Sequence, residues 1–161
     1  MTDDTLPERS RLVQEQLRAA GLAAEIRELP DSTRTAAEAA AALGCEPGAI
    51  ASSLVLLADE EPVLVMTSGR HRVDTALLAS QLGAATVSMA PAKLVKTLTG
   101  QPIGGVAPVG HPAPIPTVVD ESLADYDTLW AAGGTPHTVF PLAYAELLAL
   151  TGGRPLRVAE D

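Results

Sequence analysis

The sequence predicts an α/β fold of the α+β kind, a single domain over residues 1–161 with a mixed, mainly antiparallel sheet flanked by helices. Three observations carry this. Two β-rich runs, Ile50 to Ala58 and Pro62 to Thr67, are separated only by Asp59-Glu60-Glu61, a hairpin signal. A second pair, Thr128 to Ala132 and His137 to Phe140, brackets Gly133-Gly134. Helical patterns stand around these hairpins instead of alternating strictly with strands, which argues against a regular βαβ series. No repeat, linker or second domain is visible, and 161 residues suit one domain with a sizeable core.

Each element has a local reason. Leu12, Val13, Leu17 and Leu22 read as one face of a helix from Pro7 to Ala20, stopped by Gly21. Ala23 to Leu29 reads as a strand, turned by Pro30 and Asp31. Thr35 and Glu38 have the spacing of a capping box opening an Ala-rich helix that Gly44 ends. After the first hairpin, Asp74 caps a helix running to Leu82 and closed by Gly83. Ala85 to Met89 is a strand, and Pro91 opens a helix that ends at Gly100. Pro116 to Val119 is a short strand. Pro141 opens a helix to Thr151, closed by Gly152 and Gly153, and Arg154 to Val158 is a final strand.

Composition narrows function. Hydrophobic residues make up 47% of the chain, which excludes a disordered protein. Aromatics make up only 2%, so Ala, Leu and Val must build the core and any pocket has mostly small aliphatic walls. Such walls fit a small amino-acid side chain better than a stacked base. The net charge is −9, and Lys93 and Lys96 are the only two lysines, so a broad phosphate footprint is disfavoured and unaided nucleic-acid binding should be weak. Cys45 is the single cysteine and forms no intrachain disulfide. The acidic start MTDDTLPERS has no signal-peptide character, and the apolar runs are too short to span a bilayer, so a cytoplasmic setting is expected.

The chemistry-bearing residues are few. His71, His111 and His137 show no zinc-site pairing, and P-loop, GxGxxG and GxSxG motifs are absent. No metal and no cofactor are expected. What stands out is Gly100 to His111, GQPIGGVAPVGH, where glycines and prolines crowd together almost without side-chain chemistry. Such a loop is either a plain turn or a cradle whose N–H groups approach a carbonyl or anionic oxygen.

Three ordered segments favour the cradle. SGRHRVDTALLASQLG (Ser68 to Gly83), the GGVAPVGH loop and GGTPHTVFPLAYAELLALTGG (Gly133 to Gly153) together resemble the YbaK/ProX family of aminoacyl-tRNA editing domains, related to the insertion domain of bacterial prolyl-tRNA synthetases. The resemblance covers about Thr33 to Val158. It implies a barrel-like mixed sheet and hydrolysis of a mischarged aminoacyl ester by a freestanding trans-editing hydrolase, without a metal. Gly104 and Pro108 match the family's Gly-x-x-x-Pro loop, which would place Gly104 and Gly105 at the ester carbonyl with Pro108 beside the substrate. His137 matches a pocket histidine that orients substrate or water, or else packs at a strand start. Arg72 and Asp74 match a basic-x-Asp pattern that meets a phosphate and an α-amino group, against a solvated arginine and a simple N-cap. Thr35 resembles a pocket-lining position, although capping explains it too. His111 reads as a structural or rim residue.

One departure bears on catalysis. Relatives carry a lysine in a V-x-K-x-L pattern on the first long strand, where this chain reads IASSLVLL, with Ser52 at the matching position. Serine donates a hydrogen bond but carries no charge. The resemblance thus implies the 3′ end of an aminoacyl-tRNA as partner, with a synthetase or elongation factor as delivery partner, and neither DNA nor membrane. Its rival is a non-catalytic module that binds an aminoacyl ligand or docks to a synthetase.

Overall fold

A computed structural model describes residues 6–159. Most of the acidic start and the last two residues lie outside the described residues. The elements in chain order are α1 (Glu8–Ala19), β1 (Arg27–Glu28), α2 (Ala36–Leu43), β2 (Ile50–Ala58), β3 (Glu61–Ser68), α3 (Thr75–Leu82), β4 (Val87–Met89), α4 (Ala92–Thr99), β5 (Thr117–Asp120), β6 (Leu129–Ala132), β7 (Thr138–Leu142), α5 (Tyr144–Thr151) and β8 (Arg154–Leu156). The strands form one mixed sheet in the order β1-β7-β6-β2-β3-β5-β8, with β4 added to β2. The pairs β1/β7, β2/β3, β2/β4 and β6/β7 are antiparallel, and β2/β6, β3/β5 and β5/β8 are parallel. The sheet is open, not a closed barrel: β1 and β8 are short edges at its two ends that do not pair with each other among the described residues.

The turns and caps follow the local chemistry expected of them. Asp59 and Glu60 turn the β2–β3 hairpin in the left-handed region, at φ 48° and 69°. Asp59 earns its place there because its carboxylate accepts the Ala85 and Thr86 N–H groups, which also holds that carboxyl below the usual range. The capping box of α2 forms: Thr35 Oγ1 accepts the Glu38 N–H at 3.1 Å, and Glu38 Oε1 accepts the Thr35 N–H at 3.2 Å.

Three elements differ from expectation. The strand read at Ala23 to Leu29 shrinks to Arg27–Glu28. Helix α1 buries Ser10, Val13, Gln14 and Leu17 while Leu12 stays 52% exposed. The reason is Gln14, whose Nε2 donates to Ala24 O (3.0 Å) and whose Oε1 accepts the Ile26 N–H (2.9 Å). That polar clamp turns Gln14 inward, satisfying the backbone of the irregular segment after the helix. Pro141 lies within β7, beyond its pairing with β1, where the strand has β6 as its one neighbour and tolerates a residue without an N–H. Helix α5 begins after Ala143 instead, whose N–H the Glu146 carboxylate accepts at 2.8 Å.

Strand alternation sorts the core into two faces. Ala51 and Val55 of β2, Leu64 and Met66 of β3, and Val119 of β5 face the main core with Val13, Leu17, Val95 and Leu147 from α1, α4 and α5. Leu56, Val63, Val65 and Val118 point the other way, under Leu78 of α3. Ile50, on that same second face, lies under Ala39 and Ala40 of α2 with Trp130 alongside. Ser52 and Leu54 share the parity of Ile50 and Leu56 but join neither cluster. The second face is thus covered at both ends of β2 and left bare in the middle.

Candidate active site

A cavity of about 330 Å³ sits over that bare stretch. Its floor is Ile50 to Leu54 of β2. Thr33, Arg34, Thr35 and Ala39 form one wall, Ile103, Gly104 and Val106 another, and Trp130 to Ala132 with Val139 complete it. The first wall is tied down because Thr33 donates both its N–H (2.6 Å) and its Oγ1 (2.8 Å) to Pro136 O. A larger hollow of about 650 Å³ between α1 and β1 contains none of the candidate residues.

The glycine loop is held in shape by a buried amide that sequence reading passed over. Gln101 is 2% exposed; its Oε1 accepts the Ala107 N–H at 2.6 Å and its Nε2 donates to Val109 O at 3.1 Å. Within this brace the Gly105 N–H donates to Pro102 O at 2.9 Å, closing a turn in which Gly104 takes φ 88°. An L-residue is strained at that φ, and a Cβ on Gly104 would also lie 2.8 Å from Arg34 Cγ. Among the described residues, the N–H groups of Gly104 and Val106 have no hydrogen-bond acceptor, and both residues line the cavity. Backbone donors left unpaired beside a cavity are what a carbonyl-binding loop requires.

The candidates divide accordingly. Thr35, Ser52 and Gly104 line the cavity together. Gly105 does not: its N–H is spent on Pro102, and a Cβ there would come within 2.7 Å of Thr135 Cα and Pro136 N, so this glycine is required by backbone packing. Pro108 lines a separate hollow of about 270 Å³ with His111. His111 Nε2 lies 2.9 Å from Ala107 O, and burial pushes its pKa below the ordinary histidine value. His137 is exposed and outside the cavity; its carbonyl accepts the Leu29 N–H at 2.7 Å, so its structural work is done by its backbone. Arg72 is exposed and Asp74 caps α3, its Oδ1 accepting the Leu77 N–H at 3.0 Å; neither lines the cavity.

The segment holding Arg72 and Asp74 is organised around a buried pair. His71 Nδ1 lies 2.8 Å from Asp120 Oδ2, with side chains 2% and 1% exposed. Asp120 also accepts the N–H groups of Ser68 (3.0 Å) and Ser122 (2.9 Å). Arg70 is paired with Asp125 at 2.9 Å and donates to Tyr126 Oη.

The cavity wall contains residues that the sequence reading missed. Trp130, the chain's only tryptophan, sits in it with Arg27 stacked over its ring at 4.9 Å, so the walls are not purely aliphatic. Arg34, Ile103 and Val106 are others. The signal for Arg34 was its place next to the capping Thr35. Trp130 and Ile103 gave none, because only the parallel pairing of β6 with β2 and the turn at Gly104 bring them in.

Residues 30–150 match the family model for the aminoacyl-tRNA editing domain. The chain belongs to this family. A solved structure of a candidate trans-editing enzyme for prolyl tRNA synthetase superposes with a TM-score of 0.91 at 42% identity, covering 98% of this chain and 100% of that one. A candidate Cys-tRNA(Pro)/Cys-tRNA(Cys) deacylase, EbsC of Enterococcus faecalis, is 30% identical over 121 residues, 74% of each chain. The proline–tRNA ligase of Geobacter sp. (strain M21) is 37% identical over 86 residues, which is 53% of this chain and 15% of the ligase. Among the described residues there is no helix long and apolar enough to cross a membrane and no group of three or more His, Cys, Asp or Glu side chains placed to hold a metal ion.

Proposed function

We propose that this editing domain acts in trans, hydrolysing the ester of a mischarged aminoacyl-tRNA in the cytoplasm. The observation that carries the reading is the pair of unpaired N–H groups, Gly104 and Val106, at the wall of a 330 Å³ cavity floored by β2. A small amino-acid side chain enters among Ile50, Leu54, Ala132 and Val139, and the ester carbonyl turns toward the loop. Water adds to the carbonyl carbon, and the loop N–H groups meet the oxygen that becomes negative. Collapse breaks the bond to the ribose oxygen, which takes up the proton given up by the attacking water and leaves as the free hydroxyl, aided by the vicinal hydroxyl. Each preorganised donor of this kind is worth about 3–4 kcal/mol of barrier.

The end-to-end likeness to a candidate trans-editing enzyme supports action apart from a synthetase active site, and the ligase and deacylase relatives point to tRNA(Pro) or tRNA(Cys) as the acylated RNA. With a net charge of −9, delivery by a synthetase or elongation factor offsets weak unaided binding. The rival reading, a binding module without turnover, is favoured by one observation: Ser52 puts no charge on the cavity floor.

A deacylation screen over mischarged tRNAs, with simple aminoacyl esters alongside, tests this. Turnover of tRNA substrates is expected. Binding without turnover selects the module reading, and turnover of simple esters alone makes the protein a small-ester hydrolase.

A further inference from the structure

We infer that the Arg34 guanidinium binds the phosphate on the 5′ side of the acylated terminal nucleotide, and so serves as the RNA-reading residue of the cavity. This deepens the editing reading and rests on it. Among the described residues, Arg34 is the only charged residue lining the cavity. The other arginines with described partners are committed elsewhere: Arg70 to Asp125 and Tyr126, Arg27 to the Trp130 ring, Arg9 to Gly100 O and Arg157 to Ala159 O. The Arg34 guanidinium has no acceptor among the described residues; its one hydrogen bond is from its backbone N–H to Ser32 Oγ at 3.3 Å.

The position of Arg34 is also built. Its Cβ and Cγ lie 3.2 and 2.8 Å from where a Gly104 Cβ would stand, so the side chain's stem crosses the glycine that carries an unpaired N–H. Glycine at 104 thus serves two purposes, the left-handed φ and room for the arginine. Thr35 and the capping box that opens α2 follow directly, fixing the backbone from which Arg34 projects and adding the positive end of a helix. In an acylated RNA end the ester and the 5′ phosphate belong to one nucleotide. A cation anchored on the carbonyl-holding loop therefore meets that phosphate when the ester enters. A guanidinium suits a phosphodiester through two parallel N–H donors, and in a protein of net charge −9 one such group decides whether an anion approaches.

The test uses two non-hydrolysable analogues, 3′-aminoacylamino-3′-deoxyadenosine with and without a 5′-phosphate, carrying cysteine or alanine. Binding is followed by the fluorescence of Trp130, the only tryptophan and a cavity wall. In the wild type the phosphate is expected to tighten binding about tenfold, one charge-assisted pair. In Arg34→Met the ratio of the two Kd values is expected to fall to near one, whatever happens to either alone, and Arg34→Lys should restore part of it. The phosphate gain should also shrink with salt in the wild type and not in Arg34→Met. If both analogues bind and the phosphate gives no gain, or the gain survives in Arg34→Met, the assignment to Arg34 is overturned while the editing reading stands. If neither analogue binds, the editing reading fails and takes the assignment with it.

Discussion

Two segments attract a search for chemistry, and they turn out opposite. Gly69 to Asp74 is rich in charge, yet its polar groups are largely consumed inside the protein: His71 meets Asp120, Arg70 meets Asp125, and Asp74 caps α3. Pro102 to Val106 carries almost no functional side chains, yet among the described residues the N–H groups of Gly104 and Val106 have no acceptor, and both residues line a cavity. A polar side chain whose hydrogen-bonding capacity is spent internally is a structural part, however reactive its type. A bare backbone with spare donors is the better candidate for binding an oxygen.

The sharpest break of this comparison is at Asp120. Asp120→Ala removes the carboxylate that meets His71 and accepts the Ser68 and Ser122 N–H groups, and should destabilise the protein by about 3–5 kcal/mol in denaturant titrations. At matched folded fraction the KM for an aminoacyl-tRNA should stay near wild type. A large rise would mean that this segment touches substrate after all.

Gly105→Ala tests the loop from within. Because the added methyl runs into the Thr135–Pro136 backbone, a loss of about 2–3 kcal/mol of stability is expected, in excess of any direct effect on the chemistry. A mutant of wild-type thermal stability that loses turnover would restore Gly105 to the carbonyl site. Ser52→Lys acts on the cavity floor, where a cation close to the developing oxyanion should raise the deacylation rate about tenfold. A slower, folded mutant would show that the cavity works by another route.

Smaller effects follow. Thr35→Ala removes half of the α2 capping box and should cost about 1 kcal/mol, read as a lowered Tm. His111 contributes a pH dependence whose sign is set by its depressed pKa. Its unfolded form takes up a proton as pH falls through about 6.5, while the folded form resists until its lower pKa is reached. Stability should therefore decline across that interval and level off below it, and His111→Gln should abolish this portion of the decline in Tm against pH.

Much of the fold was legible because its signals are local. The Thr35/Glu38 capping box, the Asp74 cap, the β2–β3 hairpin and the glycine stops at Gly44, Gly83 and Gly100 each depend on residues within a few positions of one another. The family and the glycine loop were legible for the same reason, as ordered short motifs. The division of labour within the candidate site was not. Whether a glycine N–H is spent or spare depends on a turn and on a Gln101 brace six residues long. Whether Asp120 is a buried acceptor depends on pairing across 49 residues to His71. Arg34 belongs to the cavity because its stem packs on Gly104, seventy positions away, and Trp130 because β6 lies parallel to β2. Caps and turns are decided by nearest neighbours along the chain. Donors left unpaired, and cations left without a partner, are decided by which segments the closed core forces together.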